Sequence, residues 1–144
     1  MKFPLLVSSK VLLDHKFATV KEDKLHWEHE DGDSVDYKHI TIEGIPYVVV
    51  AIMSNNSILM TRQYRYSVGE DVYEFVAGYV DKGETPLDAA IREAKEEAGV
   101  IVKSDNMMYL GKIYPQTGKS NVFGSVYFCD QFVQGDKDLD KMEK

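Results

Sequence analysis

Between Gly78 and Val100 the sequence reads GYVDKGETPLDAAIREAKEEAGV. Six carboxylates (Asp81, Glu84, Asp88, Glu93, Glu96, Glu97) stand there against three cations (Lys82, Arg92, Lys95). Glu93, Glu96 and Glu97 fall within five residues. Like charges this close repel: at about 6 Å and an effective dielectric near 20, one pair costs roughly 3 kcal/mol before screening. Water on a solvated face removes much of that cost. A hard divalent cation reverses its sign, and oxygen donors suit Mg2+, Mn2+ or Ca2+. The stretch is therefore either a solvated acidic face or a metal site.

A helix must position these acids. Thr85 and Asp88 make a capping-box-like start, Pro86 suits the first helical position, and Gly99 stands where a C-cap belongs. At 100° per residue, Leu87, Ala90, Ile91, Ala94 and Ala98 share an arc of about 100° that reads as the buried face. Glu93, Glu96 and Glu97 share a second arc beside it, with Ala89 beneath them. Arg92 stands four residues from both Asp88 and Glu96, within side-chain reach on a helix. Helix geometry alone leaves both readings open.

Around this helix the chain reads as strands and turns. FATVKED and KLHWEHE precede a turn at Asp31–Asp33, and VDYKHITIEG runs to Gly44. PYVVVAIM is a buried strand, Asn55-Asn56 a tight hairpin turn, and SILMTRQYRY the return. DVYEFVAG, MYLGKIY and NVFGSVYFCDQFV read as further strands. Many strands with one well-marked helix imply an α+β fold rather than βαβ repeats.

The 144 residues suit a single sizeable core, and 44% hydrophobic with 28% charged residues is a globular balance. A net charge of -7 argues against a broad nucleic-acid surface. The lone Cys129 excludes an internal disulfide and a cysteine zinc site, and suits a reducing, cytoplasmic setting. Early apolar runs are broken at Ser8, Ser9 and Lys10, and no stretch approaches a membrane span. HWEHE, from His26 to Glu30, is not the HExxH metal helix; on a strand His26 and Glu28 share one face, Trp27 and His29 the other.

The full spacing is more specific than the acids alone: Gly78, five residues, Glu84, seven residues, Arg92-Glu93, two residues, Glu96-Glu97, one residue, Gly99-Val100. This resembles the Nudix hydrolase box at all seven of its fixed positions across 23 residues. One aliphatic position departs, with Ala94 where the family usually has Leu, Ile or Val. The resemblance implies a Nudix-type α/β/α sandwich with a mixed central sheet. It implies metal-dependent hydrolysis of a nucleoside diphosphate linked to a second group, with Mg2+ as cofactor and Mn2+ as an alternative. Glu93 and Glu97 are the implied direct ligands, Glu96 a further ligand or water-binding group, and the carbonyl of Ala77 another ligand. Glu84 and Arg92 are expected to pair structurally. Gly78 and Gly99 are expected to meet backbone requirements.

Outside the box the sequence resembles the ADP-ribose pyrophosphatase, or nucleoside diphosphate sugar hydrolase, branch. RQYRY at 62–66 is similar to the branch's QYR and implies Arg65 as a substrate contact. YEFVAG resembles its E-x-P-A-G strand end, with Val76 replacing the Pro, and implies Glu74 as a metal or substrate contact. Pro115, sixteen residues after Gly99, and the loop YPQTGKSN complete the likeness. KHITIEG shows no match for the Arg that several ADP-ribose enzymes place there, so other nucleoside diphosphate sugars stay open.

The same resemblance implies a small N-terminal antiparallel sheet, residues 1–44, exchanged across a homodimer, ahead of a catalytic domain at 45–144. Trp27 and Tyr37 are then candidates to stack on the nucleobase, beside their plainer reading as ordinary strand aromatics. The branch continues with a further strand and helix, so truncation at the C-terminus is one expectation. KDLDKMEK resembles the start of the branch's acidic loop and makes Glu143 a candidate general base; a solvated tail residue is the plain alternative. Alternative functions are a Nudix hydrolase for another nucleotide and a non-catalytic nucleotide-sugar sensor.

Overall fold

The structure is a computed structural model and describes residues 3–136. It comprises two compact units: the residues up to Ile45 with Tyr114–Val122, and Pro46–Ile113 with the residues from Phe123 onward.

The first unit is an antiparallel meander of β1 (Leu5–His15), β2 (Ala18–Glu28) and β3 (Ser34–Gly44), with β2 in the middle. FATVKED and KLHWEHE are thus one strand rather than two. β1 is longer than the broken apolar runs suggest, and all eleven of its residues are exposed. Cross-strand polar pairs stitch the ladder. Asp23 accepts from Ser9 Oγ and Thr41 Oγ1, both at 2.5 Å, and so ties β2 to both neighbours. Lys21 pairs with Glu43, Lys38 with Glu22 at 3.0 Å, and His26 with Asp36 at 2.6 Å. The loop after Tyr114 extends the sheet at one point. Ile42 N–H donates to the Lys119 carbonyl at 2.7 Å, and Ser120 Oγ donates to the Ile42 carbonyl at 2.9 Å.

The second unit is built on β4 (Tyr47–Ser54). Chain order continues with β5 (Ser57–Leu59), β6 (Thr61–Arg65), β7 (Glu70–Glu74), β8 (Val76–Tyr79), α1 (Pro86–Ala98), β9 (Val100–Ile101), β10 (Met108–Ile113), β11 (Gly124–Cys129) and β12 (Val133–Gln134). The central sheet is mixed: β11 lies parallel to β4, while β10–β11, β4–β5 and β4–β8 are antiparallel. Asn55 and Asn56 turn the β4–β5 hairpin at φ 48° and 61°, the left-handed values a tight turn needs.

SILMTRQYRY and DVYEFVAG each read as one strand, and each is broken. One edge of β4 is shared, with β5 pairing Ile52–Ser54 and β8 pairing Tyr47–Val50. Between these two contacts the chain leaves the sheet at Met60, forms the separate β6–β7 hairpin, and returns after Phe75. Alternation persists through both breaks, but the hydrogen-bonding partner changes.

α1 covers one face of this sheet. Val48, Val50, Ile52 and Val76 pack against Ala89, Ala90, Ala94 and Ala98 in a core that also holds Val100, Tyr127 and Cys129. Alanines let the helix approach the strands closely. Ala94, at the position where the family usually has a larger residue, is fully buried. No helix among the described residues is long and apolar enough to cross a membrane.

Candidate active site

The helix caps fix where the acids start. Thr85 Oγ1 accepts from Asp88 N–H at 3.2 Å and donates to Asp88 Oδ2 at 2.6 Å. Gly99 closes the helix at φ 67°, a conformation glycine adopts without Cβ strain.

Between the caps, the buried stripe is turned from the arc read off the sequence. Its two rows are Ala89-Glu93-Glu97 and Ala90-Ala94-Ala98, while Leu87 and Ile91 are only partly buried. Glu93 and Glu97 are each only 7% exposed, so neither belongs to a solvated face. The Glu96 side chain is 36% exposed and sits at the border.

Strand β8 shapes the space around these carboxylates. A Cβ on Gly78 would overlap the Glu93 carboxylate, so only glycine lets that acid lie against the strand. The neighbouring Ala77 N–H donates to Glu97 Oε2 at 3.1 Å. One turn of strand therefore seats one buried acid and orients the other.

Arg92 supplies the positive charge, and its guanidinium is fully engaged. Nε donates to Glu84 Oε1 at 2.9 Å, and Nη2 to Glu84 Oε2 at 3.0 Å and the Tyr79 carbonyl at 2.9 Å. Nη1 donates to Glu93 Oε1 at 2.6 Å and Glu96 Oε2 at 3.0 Å. Glu84 also accepts from Asp81 N–H at 3.0 Å, which ties the loop to the helix. The Arg92 hydrogen bonds hold the Glu84 carboxyl below its ordinary 4.5, against the opposing effect of burial. Glu84 in turn raises the Arg92 pKa, with Glu93 adding to the effect.

The donor set fits a hard divalent cation in kind: carboxylate oxygens, two of them buried on one helix row and seated on β8. Among the described residues, however, no three His, Cys, Asp or Glu side chains converge as a ready metal cage. Arg92 Nη1 stands on one oxygen each of Glu93 and Glu96.

The remaining residues singled out in the sequence fall elsewhere. Arg65 and Glu74 are joined to each other across the β6–β7 hairpin, with Nε and Nη2 on Glu74 Oε2 at 2.9 and 2.6 Å. Trp27, on β2, stacks on His29 with ring centroids 4.8 Å apart. Tyr37, on β3 opposite Leu25, lines an open groove of about 350 Å³ with Val7, Lys24 and Lys38. Glu143 lies outside the described residues. Sequence reasoning missed the Tyr79 carbonyl and the Asp81 N–H. Both act through backbone, so no side-chain type could have flagged them; only their place at the end of β8 and in the loop that follows it could.

Comparison with known proteins agrees with this geometry. The family described as NUDIX domain matches residues 44–142. The NAD-capped RNA hydrolase NudC of Vibrio parahaemolyticus is 38% identical over 66 residues, 46% of this chain and 24% of that protein. The methanol dehydrogenase activator of Bacillus methanolicus is 43% identical over 51 residues, 35% of this chain and 28% of that protein. The chain thus spans about a quarter of the length of these curated relatives. A solved structure described as an ADP compounds hydrolase superposes with a TM-score of 0.73 at 19% identity, covering 93% of this chain and 71% of the other. With the family match covering well over half of the sequence, the chain belongs to the Nudix family.

Proposed function

We propose that this protein hydrolyses the diphosphate bond of ADP-ribose or a related nucleoside diphosphate sugar, giving a nucleoside monophosphate and a sugar phosphate. Mg2+ or Mn2+ would be held by Glu93, Glu97, Glu96 and the carbonyl of Ala77. When bound, such ions neutralise phosphate oxygens, acidify water and align the attacking and leaving oxygens. The chain's own residues prepare the place. Gly78 leaves room for the Glu93 carboxylate, Ala77 N–H aims Glu97, and the Glu84–Arg92 pair locks the loop to the helix.

One observation carries this reading: two carboxylates buried one helical turn apart, against a strand with no side chain at Gly78. Carboxylate oxygens gathered in this way are the donors a hard divalent cation prefers. The choice of an ADP-linked substrate is supported by the fold likeness to an ADP compounds hydrolase. The NudC relatives favour a second reading, in which the group beyond the diphosphate is that of NAD or an NAD-capped RNA.

The test is turnover of ADP-ribose, GDP-mannose, other nucleoside diphosphate sugars, NAD and an NAD-capped oligonucleotide, with and without Mg2+, read as nucleoside monophosphate released. Mg2+-dependent release from the sugars supports the first reading, and from NAD compounds alone the second. Metal-independent binding without turnover would leave a nucleotide-sugar sensor. A homodimer through the N-terminal sheet belongs to the same proposal. It is supported by β1, whose Leu5, Leu6, Val7, Val11, Leu12 and Leu13 are all at least half exposed on an edge strand. Light scattering that gives a monomer mass would remove it.

A further inference from the structure

We propose that Arg92 is an exchangeable counter-ion that competes with the divalent cation for Glu93 and Glu96, and so sets the metal affinity of the site. The inference rests on the reading of these two acids as metal ligands.

The guanidinium is divided between two tasks. Its Nε–Nη2 edge is an anchor: a two-point fork on Glu84 plus the Tyr79 carbonyl. Glu84 is itself held by Asp81 N–H, so the anchor is part of the loop-to-helix tie. The third nitrogen, Nη1, spends both of its hydrogens on Glu93 Oε1 and Glu96 Oε2. All five N–H groups are thereby used, three on the anchor and two on the acids. Planar fork geometry lets an arginine hold the first set while giving up the second; a lysine ammonium has no such division.

This arrangement balances an acidic cluster from within the chain. Glu84, Glu93 and Glu96 each bond to the one guanidinium, which offsets their repulsion. Loading the site would then be an exchange: Glu93 and Glu96 would pass from Nη1 to the cation, while Arg92 stays docked on Glu84. A guanidinium left docked on Glu84 would act on the cation as a like charge and weaken its hold.

Arg92 is thus a positioning residue with an affinity-setting role, and the two roles predict opposite signs. An Arg92→Gln variant removes the competitor and the like charge. Mn2+ titrated by electron paramagnetic resonance should bind the variant at least about tenfold more tightly than the wild type. The melting temperature of the metal-free variant should fall, and its gain on adding metal should grow. Equal or weaker binding by Arg92→Gln, with normal binding by the wild type, overturns the inference and leaves the metal site standing. No Mn2+ binding by the wild type, or unaltered binding by Glu97→Gln, overturns the site and the inference together. Should Arg92→Gln not fold, arginine side-chain NMR of the wild type decides. Saturating Mg2+ should release the Nη1 hydrogens to fast exchange while the Nε–H stays protected. An Arg92 spectrum unchanged by Mg2+ overturns the proposal.

Discussion

Acidic side chains are handled in opposite ways in the two units. In the N-terminal sheet several have a partner of their own, with Lys21 on Glu43, Lys38 on Glu22 and His26 on Asp36, while Asp23 takes two hydroxyls. These pairs lie on a sheet whose side chains are exposed or half-buried. Around α1 one guanidinium serves Glu84, Glu93 and Glu96, and Glu93 and Glu97 are buried. Matched pairs on a wet ladder contribute modestly and ask for nothing further. Sharing one guanidinium among several carboxylates instead keeps oxygen donors close together, the donor type that hard cations prefer.

Four substitutions test that contrast, in order of falling effect. Glu97→Gln keeps the shape and removes a buried charge. Mg2+-dependent hydrolysis should drop by about 10²- to 10³-fold with the fold retained, read by turnover and circular dichroism. Near-normal activity would place Glu97 with the N-terminal acids, as an ordinary charge. Gly78→Ala puts a methyl where the Glu93 carboxylate lies. It should cost about a hundredfold in activity through the displaced acid, and about 1–3 kcal/mol of stability in a denaturant titration.

Glu84→Gln weakens the anchor of Arg92 and should destabilise the fold by about 1.5–3 kcal/mol near neutral pH. Because Arg92 lowers the folded-state pKa of Glu84, this stabilisation is complete above the ordinary value of 4.5 and is lost as pH falls through the depressed one. The gap in melting temperature between wild type and variant should therefore close below pH 4.5. A gap constant down to the depressed value would mean that the pair does not act through charge. Asp23→Asn is the control from the other unit. Hydrogen bonds from Ser9 and Thr41 lower the Asp23 pKa, so its contribution likewise disappears in acid. Its loss should lower the melting temperature by about one or two degrees and leave the turnover number unchanged.

How much of this was legible depended on how local each feature is. Cap residues, helix span and box spacing are set within a few turns, and Thr85, Pro86 and Gly99 announced them. The helical wheel found the acid patch but not its rotation. The apolar arc pointed at Leu87 and Ile91, whereas β8, bare at Gly78, accepts Glu93. The breaks at Met60 and Phe75 left no mark, because residue alternation does not reveal which strand is the partner. The sequence points to Arg65 as a substrate contact and to Glu74 as a metal or substrate contact. That they meet follows from the β6–β7 hairpin, which exists only because the chain leaves the sheet. The spread of β1 was hidden for a simpler reason: every residue in it is exposed, so no buried face exists to leave a pattern.

The parallel pairing of β11 with β4 has a kinetic consequence. The acids, their glycine seat and Arg92 all lie between Ala77 and Glu97, close in sequence, but β8 is held by β4, and the other edge of β4 waits for β11. Closing so long a loop is slow compared with forming the β4–β5 hairpin or a single helix. Cys129, at the end of β11, is 1% exposed, and burial pushes its thiol up to about 11. The lone cysteine is thus a built-in clock for this long-range contact. During refolding, catalysis should return no sooner than this thiol becomes closed to an alkylating reagent.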